Sequence, residues 1–293
     1  MRLRLTLLTL LAACGISSAQ SATDSCASAD SPSSPEVLRP VVSAYTLGIG
    51  SSHLRDTYLT PLGYSGWTAG IGYERFQAMK FDPERWIMRL CASVDLASDD
   101  NPARTATMWS IGFRPSWAMM RRFRPVRGLT LAAGGIARGD LGVIYLARNS
   151  NNPASVKASV TIGATAMATY NITVGRLPIT LRCQPTFDLI GAFFSPDYDE
   201  LYYEIWLGNH SGLCHCAWPG SFVHLENLLT ADLRFGATNL RLGYRFDLLS
   251  TKTSGIISRS VSHQFVIGIA TEWLSVHSGR PRISDARLIS AFY

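Results

Sequence analysis

The chain has 293 residues and a net charge of +6, with 16% charged against 47% apolar residues, whereas average domains carry about 25% charged. The positive charge gathers into no basic stripe interleaved with aromatics, which argues against nucleic-acid binding. Beyond the N-terminal leader there is no run of about 18 apolar residues, which argues against a helical membrane protein.

The first element is a targeting segment. Arg2 and Arg4 give a positive start, residues 5–13 an apolar stretch, and Ser17, Ser18 and Ala19 a small-residue cleavage site before Gln20, the pattern of a secretory signal peptide over residues 1–19. Leu11, Ala12, Ala13 and Cys14 also resemble a lipobox. Acylation at Cys14 and cleavage after Ala19 exclude each other, and the second is preferred because barrels seldom carry a lipid anchor. Residues 20–40 are rich in Ser, Ala, Asp and Pro and read as a disordered periplasmic lead-in.

From about residue 43 to 274 apolar and polar residues alternate with period two, so one face of each strand is apolar and the other small or charged. Tyr45, Leu47 and Ile49 oppose Thr46, Gly48 and Gly50; Trp67, Ala69, Ile71 and Tyr73 oppose Thr68, Gly70, Gly72 and Glu74. Further on, Met88, Leu90 and Val94 oppose Arg89 and Asp95, and Trp109, Ile111 and Phe113 oppose Arg114. Later segments repeat the rule, with Leu181, Phe187 and Leu189 against Arg182 and Asp188, Leu233 against Asp232 and Arg234, Leu240 and Tyr244 against Arg241, Arg245 and Asp247, and Phe265 and Ile267 against Gln264.

A soluble sandwich would bury the apolar face; a transmembrane barrel turns it to lipid. The segments are longer than the usual 5–6 residues of soluble strands and match the roughly 9–11 needed to cross a bilayer. Aromatics such as Tyr45, Trp67, Trp86, Tyr170 and Trp273 border the apolar face, as at membrane interfaces. The expected fold is all-β, a transmembrane antiparallel up-and-down barrel over residues 41–293. Strands are expected at 42–51, 65–78, 85–98, 104–119, 128–146, 157–172, 178–193, 200–208, 222–236, 239–250, 258–274 and 283–293. That gives about twelve. Ten is the alternative, if 200–208 is a loop and the tail is unpaired. The tail, ending in Phe292 and Tyr293, resembles the C-terminal strand by which outer-membrane proteins are recognised for insertion. On the twelve-strand count residues 236–239 face outward, and 208–221 form an unusually long inner turn.

Short motifs carry a family resemblance. Glu204, Ile205, Trp206, Leu207, Gly208 and Asn209, then Ser221, Phe222, Asn227 and Leu229, then residues 240–244 and 262–268, with Tyr64, Ser65, Gly66 and Trp67 and residues 70–74 earlier, are similar to an uncharacterised domain-of-unknown-function family of Bacteroidetes exported proteins. The resemblance covers most of the mature chain. It implies an outer-membrane-type barrel and no assigned activity.

Candidates for chemistry are few. Cys214, His215 and Cys216 form the one local Cys/His cluster, and no further ligands sit at metal-site spacing; it reads as a loop with thiols or a local bridge. Cys91 and Cys183 fall on opposite faces of their strands and should not pair. A lipid hydrolase would need a Ser and a His on one face. Ser262 with His263, and His277 with Ser278, are adjacent and so point oppositely within a strand, and His210 with Ser211 falls in a turn. Ser51 and His53 share a face. Arg121, Arg122, Arg124 and Arg127 cluster, either holding phosphates or, as preferred here, snorkelling to the interface.

The expected function is that of an outer-membrane barrel without evident enzymatic activity, a structural or interaction module or a narrow pore. The alternative is a phospholipase or lipid A deacylase. No catalytic, cofactor or metal site is assigned. The expected partners are outer-membrane lipids, the barrel-insertion machinery and a small solute or periplasmic protein. Charged residues including Glu74, Arg89, Asp95, Arg114, Arg182, Asp188, Arg234 and Arg245 should cross-link the lumen. Mass spectrometry of the mature protein should find Gln20 at its N-terminus; a diacylglyceryl Cys14 would overturn that expectation.

Overall fold

The computed structural model describes residues 37–150, 152–197, 201–208, 212–236, 238–273 and 287–292. The expected signal peptide, most of the expected lead-in, His210 with Ser211, and His277 with Ser278 lie outside these residues.

The strands are β1 (Val37–Leu38), β2 (Val41–Asp56), β3 (Gly63–Ala78), β4 (Trp86–Asp100), β5 (Thr107–Val126), β6 (Leu129–Leu146), β7 (Ala154–Val174) and β8 (Leu177–Phe194). A short helix, α1 (Tyr202–Trp206), follows, then β9 (Cys214–Ala217), β10 (Phe222–Phe235), β11 (Thr238–Thr253), β12 (Ile256–Trp273) and β13 (Arg287–Leu288). Neighbouring strands pair in chain order from β2 to β8, then β8 with β10, and on through β11 and β12 back to β2. The result is a closed antiparallel barrel of ten strands. Closing the sheet pairs both edges of each barrel strand over most of its length, which removes most of the exposed edge. β9 is an extra strand that continues the sheet beside Gly191–Phe194 at the end of β8.

The alternative count of ten is the correct one. Residues 200–208, expected as the eighth strand, hold the helix α1, whose Leu201 N–H donates to Glu204 Oε2 at 3.2 Å. Gly208 follows it with φ +110°, a left-handed turn that ends the helix. The tail is not a barrel strand either. β12 already pairs with β2 from Ser258↔Asp56 to Trp273↔Val41, so the barrel offers the tail no edge. β13 instead pairs in parallel with β1, drawing the end of the lead-in into regular structure.

The ten-strand count also reverses two loop assignments. Gly236 follows β10 at the end that holds the start of β2 and the finish of β12, and β8 finishes and β10 starts at the opposite end. At the terminus-bearing end 127–128 and 175–176 are two-residue turns, and 79–85 joins β3 to β4. At the far end 57–62 and 101–106 join their strands, and 254–255 is a two-residue turn. There Ser254 (φ 45°) and Gly255 (φ 79°) form the paired left-handed turn favoured in hairpins.

The burial pattern is inside out. Tyr45, Ile71, Val160 and Phe265 are each at least 60% exposed, whereas Arg241 and Asp247 are 1% exposed. Large apolar side chains outside and charges inside are the reverse of a soluble core and define a barrel of the membrane-spanning kind. On β5, Trp109 and Trp117 mark two levels of the outward face, roughly 20 Å apart at ~3.3 Å per residue and a tilt of about 40°. The register shifts at two places, between Phe123 and Val126 on β5 and at Ile162 and Gly163 on β7. A bulge opposite Ile162 and Gly163 turns both Leu189 and Ile190 outward and brings Phe193 inside.

The tail fills the terminus-bearing mouth. Ala291 and Phe292 pack with Val42, Phe76, Ile87, Met120, Ala132 and Met167, the Phe76 and Phe292 ring centroids lying 4.7 Å apart. Arg122 Nη1 donates to the Ser290 and Ala291 carbonyls at 2.7 and 3.3 Å, and Ser290 Oγ donates to Glu272 at 2.6 Å. Phe292→Ala should destabilise the barrel by about 3 kcal/mol, the cost of an emptied aromatic site. The measurement is the temperature at which the detergent-solubilised protein loses its folded gel mobility. An unchanged temperature would show that the tail lies outside the cooperative unit.

Candidate functional site

Inward-facing charges sit in layers, because each strand contributes every second residue to the bore. Small residues make room for them: a Cβ at Gly48 would collide with Gln264, and one at Gly70 with Asp95. Glu74 is the centre of the first layer. Its carboxylate meets Arg89 Nε at 2.7 Å, Arg182 Nη1 at 2.9 Å and Arg241 Nη1 at 2.6 Å. Arg241 also forks onto Asp232, at 2.7 and 2.8 Å, the bidentate geometry that guanidinium favours. These residues come from β3, β4, β8, β10 and β11, so the layer crosses the bore. Arg182 lies over the Phe76 and Phe292 rings at 5.3 and 5.9 Å, which joins the layer to the tail plug.

A second layer surrounds His224. Its Nδ1 is 3.1 Å from Asp188 and its Nε2 3.2 Å from Asp247. Arg138 pairs with Glu226 at 2.7 Å, and Arg114 with both Asp140 and Asp247 at 3.0 Å. Between the layers Arg245 bonds Asp95 and Gln264.

The remaining space is small. A cavity of about 110 Å³ lies in the far half, lined inwardly by Ser52, Thr68, Lys157, Ser159, Ser260 and Ser262. It is well below the roughly 300 Å³ at which ligand pockets begin. A second void of about 40 Å³ lies beside Glu74 and Arg89. Over the far mouth Leu59 packs with Leu54, Tyr64, Met108, Ile144 and Leu146. Tyr202 on α1 meets the Tyr58 ring edge-on at 5.8 Å and accepts the Val156 N–H at 2.6 Å. Burial pushes its phenol up to about 12, so it stays a neutral contact at physiological pH.

The sequence candidates separate cleanly. The expected inward set is inside, Arg234 included, which donates to Thr180 at 3.1 Å. His53 bonds not Ser51 but Ser65 on β3, with Nδ1 and Oγ 2.8 Å apart on the outward face. His263 Nδ1 meets the Tyr244 hydroxyl at 2.6 Å, while Ser262 lines the lumen, as alternation requires. Cys214, His215 and Cys216 form strand β9 rather than a loop. Cys91, Cys183, Cys214 and Cys216 are free thiols, so there is no local bridge. His215 Nε2 meets the Ser195 carbonyl at 3.0 Å and Nδ1 meets Thr253 at 3.1 Å. No metal-binding group occurs among the described residues. The arginine cluster divides: Arg122 is buried against the tail, Arg121 lies over the Phe123 ring at 5.5 Å, and Arg124 and Arg127 are exposed.

Arg138, Asp140, His224 and Glu226 escaped the sequence reading. The signal was available for two of them, since stepping back by twos from Asp232 on β10 reaches Glu226 and then His224.

Geometry of this kind defines a membrane-type barrel with an ion-paired interior. The chain belongs to the family described as protein of unknown function (DUF3316), whose model matches residues 3–280. This agrees with the implied resemblance to a family without assigned activity. No curated protein matches it in sequence. Among solved structures it is similar to the outer membrane protease OmpT from Escherichia coli, at 6% identity and TM-score 0.43, covering 82% of this chain and 98% of that one. It is also similar to an outer membrane channel from Pseudomonas putida F1, at 10% identity and TM-score 0.34, covering 84% and 100%. A FadL homologue from Pseudomonas aeruginosa matches at 11% identity and TM-score 0.26, covering 80% and 90%.

Replacing Glu74 by Gln would leave Arg89, Arg182 and Arg241 facing one another without their shared anion. The expected loss is about 3–5 kcal/mol, as for other broken buried ion pairs, read from the urea midpoint of the barrel in detergent. A midpoint equal to wild type would show that the layer contributes nothing to stability.

Proposed function

We propose that the protein is an outer-membrane barrel with a sealed lumen, acting as a structural or interaction module rather than as an open pore. The observation that carries this reading is the Glu74 layer. Side chains from opposite walls meet at hydrogen-bond distance across the bore, and plugs at both mouths close what remains. The two-residue turns 127–128 and 175–176 at the terminus-bearing end fit an orientation with the termini in the periplasm. Its surroundings are then outer-membrane lipids, reached through the barrel-insertion machinery.

Purified protein in planar bilayers should give no steady conductance. A stable open level would overturn the sealed-lumen reading in favour of a narrow pore.

A lipid-acting hydrolase has one observation in its favour, the 2.8 Å contact of His53 with Ser65 on the outward face. The pair has a base within reach of a hydroxyl. Asp100 is the cross-strand partner of Ser65, not of His53, and the strand N–H groups nearby are committed to sheet pairing, so the arrangement lacks an orienting acid and an oxyanion site. Phospholipid and lipid A should stay intact in the presence of the purified barrel. Release of fatty acid that Ser65→Ala abolishes would establish the hydrolase instead.

A further inference from the structure

We propose that Arg55, Arg259 and Lys252 form an outward-facing site for the phosphate of an outer-leaflet lipid. The inference rests on the outer-membrane reading above and adds to it a lipid class and a place.

Arg55 on β2 and Arg259 on β12 are direct cross-strand partners. Their Cα atoms therefore sit about 4.5–5.5 Å apart. Both belong to the outward-facing set and both are exposed. On the next strand Ser250 is the partner of Arg259, which places Lys252, also outward and exposed, on the diagonal. Three cations thus occupy three adjacent strands at the far rim. Like charges directly opposite each other destabilise a sheet.

Among the described residues none of the three makes a side-chain hydrogen bond or ion pair, and the outward faces of β2, β11 and β12 carry no carboxylate. The interior behaves oppositely, with Arg89, Arg114, Arg138, Arg241 and Arg245 each held by an acid. An unbalanced cluster on the outside of such a barrel calls for an anion from outside the chain.

The position selects the source. Along β2 the outward residues run Ile49, Ser51, His53, Arg55; along β12 they run Phe265, His263, Val261, Arg259; along β11, Phe246, Leu248, Ser250, Lys252. Each strand passes from hydrocarbon-compatible residues to a cation at one level, the depth of the head groups. A phosphate there offers several acceptor oxygens to guanidinium forks and an ammonium. Its acyl chains would lie along Phe246, Phe265 and Ile49.

The test reconstitutes wild-type barrel into vesicles of phosphatidylcholine mixed with phosphatidic acid, a lipid that carries a phosphomonoester. Native mass spectrometry then counts the phosphatidic acid retained after extraction. Wild type should retain it in preference to phosphatidylcholine. The double variant Arg55→Gln/Arg259→Gln should lose retention by roughly fivefold per removed charge, and Arg124→Gln/Arg127→Gln at the opposite rim should match wild type. Equal retention by Arg55→Gln/Arg259→Gln in barrels that insert normally would overturn this site alone. A wild-type barrel that enters no vesicle would overturn the membrane reading as well. Displacement of the lipid by inorganic phosphate at equal concentration would assign the cluster to free phosphate and overturn the lipid assignment.

Discussion

Charge enclosed in a narrow, poorly hydrated bore has to be cancelled by charge within reach, and most of this architecture follows from that requirement. An isolated buried ion costs several kcal/mol, so Glu74 cannot stand in the bore without its arginines, nor Arg241 without Glu74 and Asp232. The partners come from strands distant in sequence. Glu74 and Arg241 are brought together only when the sheet closes. Pairing across the lumen and closure of the barrel are therefore the same event seen from inside and from the backbone. Ten strands leave a bore a little wider than the smallest barrels, whose interiors side chains just fill, and long arginines with glycine opposite them suit that width.

The two mouths are closed by different chemistry. At the terminus-bearing end the tail supplies apolar filling, and Arg122 turns its guanidinium onto tail carbonyls. Arg182 couples plug and ion layer, holding a salt bridge to Glu74 while lying over Phe76 and Phe292. At the far end the cap is made of loop residues, with Leu59 and Tyr58 folded onto inward strand ends and α1 resting on Tyr58. Between these stoppers the bore keeps only small voids.

The outer surface is equally ordered. The apolar belt gives way toward the far rim to serine and histidine and then to Arg55, Arg259 and Lys252. His53 and His263 find partners one strand away, in Ser65 and Tyr244, so each is satisfied by a cross-strand neighbour. Such pairs are the unit of sheet stabilisation. Interior arginines such as Arg89, Arg114, Arg138 and Arg241 are held by acids of the same chain, while, among the described residues, buried Asp99 meets only the Ser52 hydroxyl.

The period-two pattern by itself determined that the chain is a barrel of long strands, which residues share a face, and that Glu74, Arg182 and Arg245 lie together on the inner side. It could do so because facing is a local property, set by the backbone at each residue. Register is not local. That His53 meets Ser65 rather than Ser51, that Glu74 gathers three arginines, and that Arg55 stands opposite Arg259 depend on how far each strand slides past its neighbour. The alternating residues of 200–208 and the terminal Ile289, Ala291 and Phe292 also look like strand in isolation. In the barrel β8 pairs directly with β10 and β12 with β2, so residues 201–208 carry α1 instead of a strand and the tail lies across the mouth. Only the tertiary structure decided those outcomes.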